Sequence, residues 1–287
     1  MTASPPLVAP VRPARRHVLP GLNLTLGYVL LYLSVLVLIP LAGLVFRAAG
    51  LGFGGFWREV SSPRVLAALG VSFGTALVAS VINVGLGLLI AWTLERYWVP
   101  GKRLIDALID LPFALPTAVA GITLTALLAP NGWLGGWLAA HDIRVVYTPT
   151  GIVIALIFIG LPFVVRSIQP VLEDLGHEQE EAAWSLGASP AQTFWRVILP
   201  ELRPALLSGF TLALARTIGE YGSVVFISGN LPFKTEIAPL LIVGKLEQFN
   251  YAGAAAIAVV MLLISVGLLL IANAVQARLV RRSGVAV

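Results

Sequence analysis

Long apolar runs, separated by short segments that carry most of the charged residues, dominate the chain. Six runs are long enough to cross a bilayer, since a transmembrane helix needs ~20 apolar residues. They are continuous blocks of Leu, Ala, Val and Ile, whereas membrane β-barrels are built from shorter alternating segments. The pattern therefore predicts an all-α membrane protein with six transmembrane helices. The predicted spans are residues 28–46, 66–93, 111–128, 150–165, 206–226 and 252–277.

The composition supports the same class of protein. The chain is 58% apolar and 11% charged, with a mean hydropathy of +0.91, whereas soluble domains are about 45–50% apolar and about 25% charged. This composition excludes a soluble enzyme, a disordered protein and a coiled coil. With no cysteine and only three histidines, the chain lacks the residues for disulfides, a thiol nucleophile or a zinc site. We therefore expect no metal.

The distribution of positive charge predicts the orientation. Of the 19 lysines and arginines, twelve lie in the N-terminal segment and the segments that share its side, six lie on the other side, and Arg216 lies within a span. Lysine and arginine concentrate in cytoplasmic loops. Both termini are therefore expected in the cytoplasm. The net charge of +5 follows from these loops, so we expect no nucleic-acid partner.

The chain is expected to consist of one membrane domain with short tails. Residues 1–27 are Pro-rich and basic and predict a disordered cytoplasmic tail, not a removed signal peptide. Residues 28–282 form the six-helix domain, with a long cytoplasmic loop at 166–203, and residues 283–287 form a second tail. The phosphate-binding pattern G-x-x-x-x-G-K-[ST] does not occur, so we do not expect this chain to hydrolyse ATP by itself, nor to hold a cofactor.

The long cytoplasmic loop contains strong local signals. A short helix is predicted over residues 178–186, and Gly187 can supply the left-handed residue that commonly ends a helix. Ser189 and Gln192 have the spacing of a capping box at the start of a second helix, and Pro200 is expected to mark its end. From these residues alone, the segment is either a pair of helices presented to a partner or an amphipathic loop lying on the membrane surface.

Arg216 and Glu220 lie inside the fifth predicted span. They are four residues apart, so they share a helix face and can pair. Either charge alone at mid-bilayer costs about 2.5–3.5 kcal/mol on insertion scales, and such residues usually face the bundle interior. Two interpretations stay open: a structural pair that fixes the fifth span, or a path role in which Arg216 meets an anion and Glu220 keeps it from binding too tightly.

The third predicted span contains two prolines and follows two carboxylates. Pro112 and Pro116 each remove a backbone donor and bend a helix. We interpret this kink either as a packing feature or as part of a translocation wall. Asp106 and Asp110 are expected to be solvated at the cytoplasmic start of this span, where a helix N-terminus favours negative charge.

The cytoplasmic loop resembles the coupling loop of permease subunits of ATP-binding-cassette (ABC) importers. That pattern is E-A-A, three residues, G, nine residues and I-x-L-P, and here Val stands in the Ile place. The matched residues are Glu181, Ala182, Ala183, Gly187, Val197, Leu199 and Pro200.

Two membrane segments, Asp110 to Gly121 and Arg216 to Asn230, resemble the sulfate/thiosulfate branch of these permeases. The form G-E-Y-G-S-V-V-F at 219–226 is closer to the T-type subunit of that branch than to its W-type partner. The similarity runs from about Tyr28 to Arg282, nearly the whole chain.

The resemblance implies a type I ABC importer permease fold and ATP-driven import of sulfate or thiosulfate across a bacterial inner membrane. The implied partners are two ATP-binding subunits, which would bind the ATP, a second permease chain of the W type, and an extracytoplasmic sulfate-binding protein. Two alternatives remain: a molybdate or tungstate permease of the same family, and an ion-coupled secondary anion transporter with Glu220 as its coupling carboxylate.

Overall fold

The computed structural model describes residues 22–282, and every regular element in that range is a helix. The all-α prediction is therefore confirmed for this part of the chain. Residues 1–21 of the first predicted tail and the whole second tail, 283–287, lie outside the described residues. The α-helices are α1 Leu22–Leu33, α2 Ile39–Ala49, α3 Gly52–Val60, α4 Pro63–Arg96, α5 Lys102–Ala114, α6 Thr117–Leu128, α7 Trp133–Ala139, α8 Pro149–Leu175, α9 Glu178–Ser185, α10 Pro190–Thr193, α11 Leu199–Ile218, α12 Val224–Ile227, α13 Ala238–Glu247 and α14 Tyr251–Arg282.

The described chain divides into two units, one up to Phe46 and one from Arg47. A π-helical turn at Ser34–Leu38 joins α1 to α2, and residues Leu24–Ala49 form one apolar candidate span. The first helix begins at Leu22, so residues 22–27 are helical. The expectation that they belong to a disordered tail was wrong, because the apolar, helix-compatible sequence extends one and a half turns further towards the N-terminus.

The core of the second unit is a bundle of α4, α8 and α11. Val164 of α8 lies against Gly87 of α4 and Gly209 of α11, where added Cβ atoms would meet Val164 atoms at 2.6 and 3.0 Å respectively. Small residues at such contacts let membrane helices approach closely. A cluster of buried side chains, including Ile168, Leu172 and Leu202, fills the end of this bundle near α9.

The number of candidate spans matches the prediction, but the third span is not one helix. Within residues 22–282, five helical segments are long and apolar enough to cross a membrane, and α5 and α6 form a sixth span if counted together. The chain bends by 113° between α5 and α6. Leu115 is extended, as expected for a residue that precedes proline. The third span was predicted as one helix at 111–128 bent at Pro112 and Pro116; the structure has two separate helices instead, because Pro116 forces a break and Pro112 does not.

The fifth span and the predicted loop also differ from expectation. The predicted helix at 206–226 stops at Ile218, and a turn leads to the separate short helix α12. Before the predicted loop 166–203, helix α8 continues to Leu175, so the first ten residues of that loop are helical. The apolar pattern alone could not place these ends.

Pro200 does not end a helix. A π-helical turn, Phe194–Ile198, joins α10 to α11, and the Leu199 N–H donates to the Phe194 carbonyl. Pro200 is the second residue of α11, and a proline is tolerated in the first turn of an α-helix. One helical segment therefore runs from Pro190 to Ile218.

Candidate functional site

The turn after α9 has the geometry that Gly187 predicted. Gly187 has a φ of +81°, and its N–H donates to the Trp184 carbonyl at 2.9 Å. The Ala188 N–H donates to the Ala183 carbonyl at 3.0 Å. These two bonds form a Schellman motif, which satisfies carbonyls left free at a helix end.

A capping box starts α10, again as predicted. The Ser189 N–H donates to Gln192 Oε1 at 2.9 Å, and the Gln192 N–H donates to Ser189 Oγ at 3.3 Å. Pro190 occupies the first turn, where its missing N–H has no cost. The two short helices are therefore set at a defined angle by bonds local to the loop.

The helices α9 and α10 divide the motif residues between a surface and the bundle. Trp184, Leu186 and Trp195 are exposed by 51%, 89% and 64%, and they lie beside acidic residues of α9. This apolar and acidic surface is available to a partner. Of the predicted loop residues, Glu181, Ala182 and Gly187 are exposed, Ala183 is buried, and Val197, Leu199 and Pro200 are half-buried.

Glu180, next to the exposed Glu181, points inward. Its side chain is 7% exposed and pairs with Arg96 at the end of α4, whose side chain is 6% exposed; the Nε–Oε1 distance is 2.6 Å. Its partner lies 84 residues away in the sequence, so no residue near Glu180 in the chain indicates that it is buried.

Asp106 and Asp110 were expected to be solvated, but both accept hydrogen bonds from α8. Arg166 of α8 donates to both carboxylate oxygens of Asp110, at 2.9 and 2.7 Å, and more weakly to Asp106 at 3.4 Å. Gln169 also donates to Asp106 at 3.2 Å. The two carboxylates therefore fasten α5 to α8, near the end of the bundle that leads to residues 178–200, which we call the coupling loop after the loop that they resemble.

The breaks in the third and fifth spans meet each other. A Cβ at Gly121 of α6 would lie 2.7 Å from the Ser223 Cα, and one at Gly222 would lie 3.1 Å from the Thr117 Cβ. Only glycine permits backbones to approach this closely. We call this contact between the start of α6 and residues 219–223 the membrane joint.

Arg216 and Glu220 lie at the membrane joint and form the expected pair. Arg216 Nη1 donates to Glu220 Oε2 at 2.6 Å, and the exposed fractions of the two side chains are 37% and 2%. Glu220 Oε1 also accepts the Ser223 N–H at 3.0 Å and its hydroxyl at 3.1 Å. Glu220 lies beyond the end of α11, so the two residues do not share a helix face as assumed.

The structure does not bring the coupling loop and the Arg216–Glu220 pair together. Arg216 follows Pro200 by sixteen helical residues, about 24 Å at the rise of an α-helix. The continuous segment from α10 to α11 connects the two places. Movement of α10 would therefore act directly on the helix that carries Arg216.

Two arginines of the site were missed by reasoning from the sequence. Arg96 and Arg166 stand at the ends of apolar runs, where we counted them only as orienting charges. For Arg96 the adjacent Glu95 was the available signal, whereas no acidic residue lies within six positions of Arg166. Nothing local, however, identifies Glu180 or Asp110 as their partners across 84 and 56 residues.

Comparisons with known proteins identify the family. Residues 83–284 match the family model described as the inner membrane component of binding-protein-dependent transport systems. The sulfate transport system permease protein CysT of Escherichia coli K12 is 50% identical over 267 residues, covering 93% of this chain and 96% of the relative. The CysT protein of Synechocystis is 47% identical over 247 residues, covering 86% of each chain.

Solved structures agree on the fold. A chain of a bacterial alginate ABC transporter, solved with an alginate-bound periplasmic protein, matches with a TM-score of 0.74 and 17% identity, covering 90% of this chain and 94% of that one. A second structure of a bacterial alginate importer gives 0.75 and 16%, with 90% and 95% covered. The predicted type I ABC importer permease fold is thus confirmed. This chain belongs to the family of inner membrane components of binding-protein-dependent transport systems.

Proposed function

We propose that this chain is the permease subunit of an ATP-driven importer that carries sulfate across the bacterial inner membrane. The observation that carries the substrate assignment is the 50% identity, over 93% of this chain, to a sulfate transport permease. That similarity extends over every candidate span, so it includes the membrane joint as well as the coupling loop. Thiosulfate, a dianion of similar shape, is proposed as a second substrate.

The partners follow from the family and from what the chain lacks. Binding-protein-dependent transport requires a binding protein, which we propose to be an extracytoplasmic sulfate-binding protein. Because this sequence has no P-loop, we propose that two ATP-binding subunits bind the ATP. A second permease chain of the W type would complete the pore, since six helices alone are a thin enclosure for a dianion.

The outer surface of α9 and α10 is proposed as the contact with an ATP-binding subunit. It combines the acidic Glu181 with the exposed apolar Trp184 and Leu186. Closure of the ATP-binding subunits would push the coupling loop and, through the continuous helix to Ile218, the membrane joint. Such coupling requires two states of the pore whose energies the partners bias differently.

Arg216 and Glu220 are proposed to have different roles at the joint. Glu220 is buried and accepts hydrogen bonds from Arg216 and Ser223, which supports a structural role. The Arg216 side chain is 37% exposed, so part of its charge is directed away from Glu220. We propose that this part faces the translocation path, where a weak positive potential favours passage of an anion without retaining it.

Uptake of labelled sulfate into proteoliposomes tests the function. The vesicles contain this chain, the second permease and the ATP-binding subunits, with ATP and binding protein each present or omitted. We expect uptake only when both are present. Uptake driven by an ion gradient without ATP would instead establish the secondary transporter.

Competition by other oxyanions tests the substrate. Excess thiosulfate is expected to reduce sulfate uptake, whereas molybdate and tungstate are expected to have little effect. Stronger competition by molybdate than by thiosulfate would favour the alternative permease of the same family. The binding protein is varied in parallel, since much of the specificity is expected to reside there.

A further inference from the structure

The end of α4 holds the first coupling helix through one arginine. We propose that Arg96 is a positioning residue that fixes the angle between α9 and the membrane helices, so that movement of α9 reaches α4 and α8. This inference rests on the proposed function, because it concerns how ATP-driven movement is transmitted.

The guanidinium of Arg96 joins two helix ends. Its Nε donates to Glu180 Oε1 at 2.6 Å, its Nη1 to the Leu172 carbonyl at 3.1 Å, and its Nη2 to the Gly176 carbonyl at 2.8 Å. A helix C-terminus favours a cation and a helix N-terminus favours a carboxylate. Arg96 therefore bonds the end of α8 and the first turn of α9 at once, from a third helix.

A second contact, one turn earlier on α4, holds the segment after α10. Trp92 packs edge-on against Phe194 of the π-helical turn, with ring centroids 5.3 Å apart. The Arg96 Cζ lies 5.6 Å from the centre of the Trp92 ring. Residues four apart lie on one helix face, so the same face of α4 contacts both parts of the coupling loop.

These contacts leave the outer surface of α9 free while its inner surface is fixed. Glu180 and Ala183 face inward, whereas Glu181 and Trp184 are exposed. A push on the exposed surface must therefore be transmitted through the inner contacts. Among the hydrogen bonds of residues 178–185 in the described chain, Arg96 to Glu180 is the one that reaches a membrane helix distant in sequence.

Arginine is required here because of its shape. Its planar fork directs three donors at three acceptors in fixed directions, whereas the ammonium of lysine is a single flexible point charge. The variant R96K keeps the charge beside Glu180 but cannot hold all three acceptors in this geometry. It thereby separates positioning of the coupling helix from simple neutralisation of a buried carboxylate.

The first test measures coupling in the reconstituted complex. Sulfate uptake and ATP hydrolysis are measured in the same vesicles, and their ratio is compared between variants. We expect R96K to assemble within about twofold of the natural level and to lower uptake per ATP hydrolysed at least fivefold. A ratio equal to that of the unaltered complex would overturn the proposal.

The matched control lies at the other end of the same helix. Arg64 donates to both carboxylate oxygens of the buried Glu236, at 2.8 and 2.7 Å, so R64K makes the same chemical change away from the coupling loop. We expect R64K to leave the ratio unchanged. If uptake per ATP hydrolysed fell equally in R64K, any weakened ion pair would uncouple the complex. That result would overturn a special role for Arg96.

A distance measurement tests positioning directly. Because the chain has no cysteine, spin labels can be placed at Thr93→Cys and Ser185→Cys, two exposed positions on α4 and α9. In the full chain in lipid nanodiscs, we expect a narrow distance distribution that widens in R96K; an unchanged distribution would overturn the proposal. This result is independent of transport, so failure of the unaltered complex to import sulfate would overturn only the proposed function.

Discussion

Two arginine–glutamate pairs, one at the coupling loop and one at the membrane joint, have the same chemistry in different surroundings. Arg96 and Glu180 are both buried, and they join segments that are far apart in the sequence. Arg216 and Glu220 are four residues apart, and only the glutamate is buried. The first pair therefore holds separate helices together. The second organises a local turn and leaves part of a cation accessible.

The two glutamates differ in the groups that they compensate or accept hydrogen bonds from. Glu180 compensates a buried cation whose other partners are two backbone carbonyls. Glu220 instead accepts the backbone and side-chain donors of Ser223, just beyond the break in the fifth span. Truncating the two glutamates should thus have different consequences, although both lose an arginine partner.

The largest effect is expected from Glu180→Ala, compared directly with Glu220→Ala. Glu180→Ala leaves a buried guanidinium without its counter-charge, which typically costs about 3–5 kcal/mol. Glu220→Ala leaves the buried Ser223 N–H without its acceptor, which costs about 1–3 kcal/mol of stability, while Arg216 can still reach polar surroundings. Thermal unfolding of the purified complexes measures both. Equal shifts in the midpoint would contradict the comparison; the Gln variants, which retain an acceptor, should shift less.

Gly121→Ala should destabilise the membrane joint while leaving the residues of both ion pairs unsubstituted. The new methyl group would overlap the backbone of Ser223, and overpacking of this kind costs about 1–3 kcal/mol. Gly70→Ala on α4 is the control, because a Cβ there meets no atom of the described chain within 4 Å. The yield of membrane-inserted protein and its unfolding midpoint should fall only for Gly121→Ala. Similar behaviour of the two variants would argue against a tight joint.

Gly187→Val should disrupt the coupling loop while the bundle remains intact. A left-handed conformation costs a non-glycine residue about 1–2 kcal/mol, and a β-branched residue tolerates it poorly. We expect ATP-dependent uptake to be abolished while the chain still inserts into the membrane. Gly52→Val has comparable strain, with a φ of +65° and open space, but lies outside the loop, so uptake should persist. Undiminished uptake by Gly187→Val would refute the coupling-loop assignment.

The smallest effect on stability is expected from Glu181→Gln. This side chain is exposed, and surface substitutions usually change stability by less than about 0.5 kcal/mol. ATP-dependent uptake should nevertheless fall, because the proposed contact with an ATP-binding subunit loses a charge. Its neighbour Glu180 provides the contrast, since there stability should fall as well. Normal uptake by Glu181→Gln would remove Glu181 from the proposed contact surface.

Much of the coupling loop was predictable because its geometry depends on neighbouring residues. The left-handed Gly187 and the capping box of Ser189 and Gln192 involve bonds between residues three to five apart, so a short sequence window contains both partners. The candidate spans were predictable for a similar reason, since length and apolarity are local properties. Helix α1 begins six residues before the predicted start of the first span, an error that arose from the same limited window.

The prolines show where local reasoning is insufficient. Pro116 breaks the third span with an extended Leu115, whereas Pro200 lies inside a continuous helix whose preceding residue, Leu199, is helical. Leu115 follows the rule that the residue before a proline avoids the helical region, whereas Leu199 departs from it. A π-helical turn precedes Pro200, but Pro112 and Pro162 lie inside helices that have no such turn before them, so the sequence near a proline does not specify the outcome.

The sequence by itself determined the all-helical class, the candidate spans and the caps of the coupling loop, because each depends on residues adjacent or nearly adjacent in the chain. Only the tertiary structure decided that Glu180 faces Arg96, that Asp110 faces Arg166 and that the breaks near Pro116 and Gly219 meet. These contacts depend on how α4, α5, α6, α8 and α11 pack. Their energies arise between side chains that burial brings together, and no window along the sequence contains both partners.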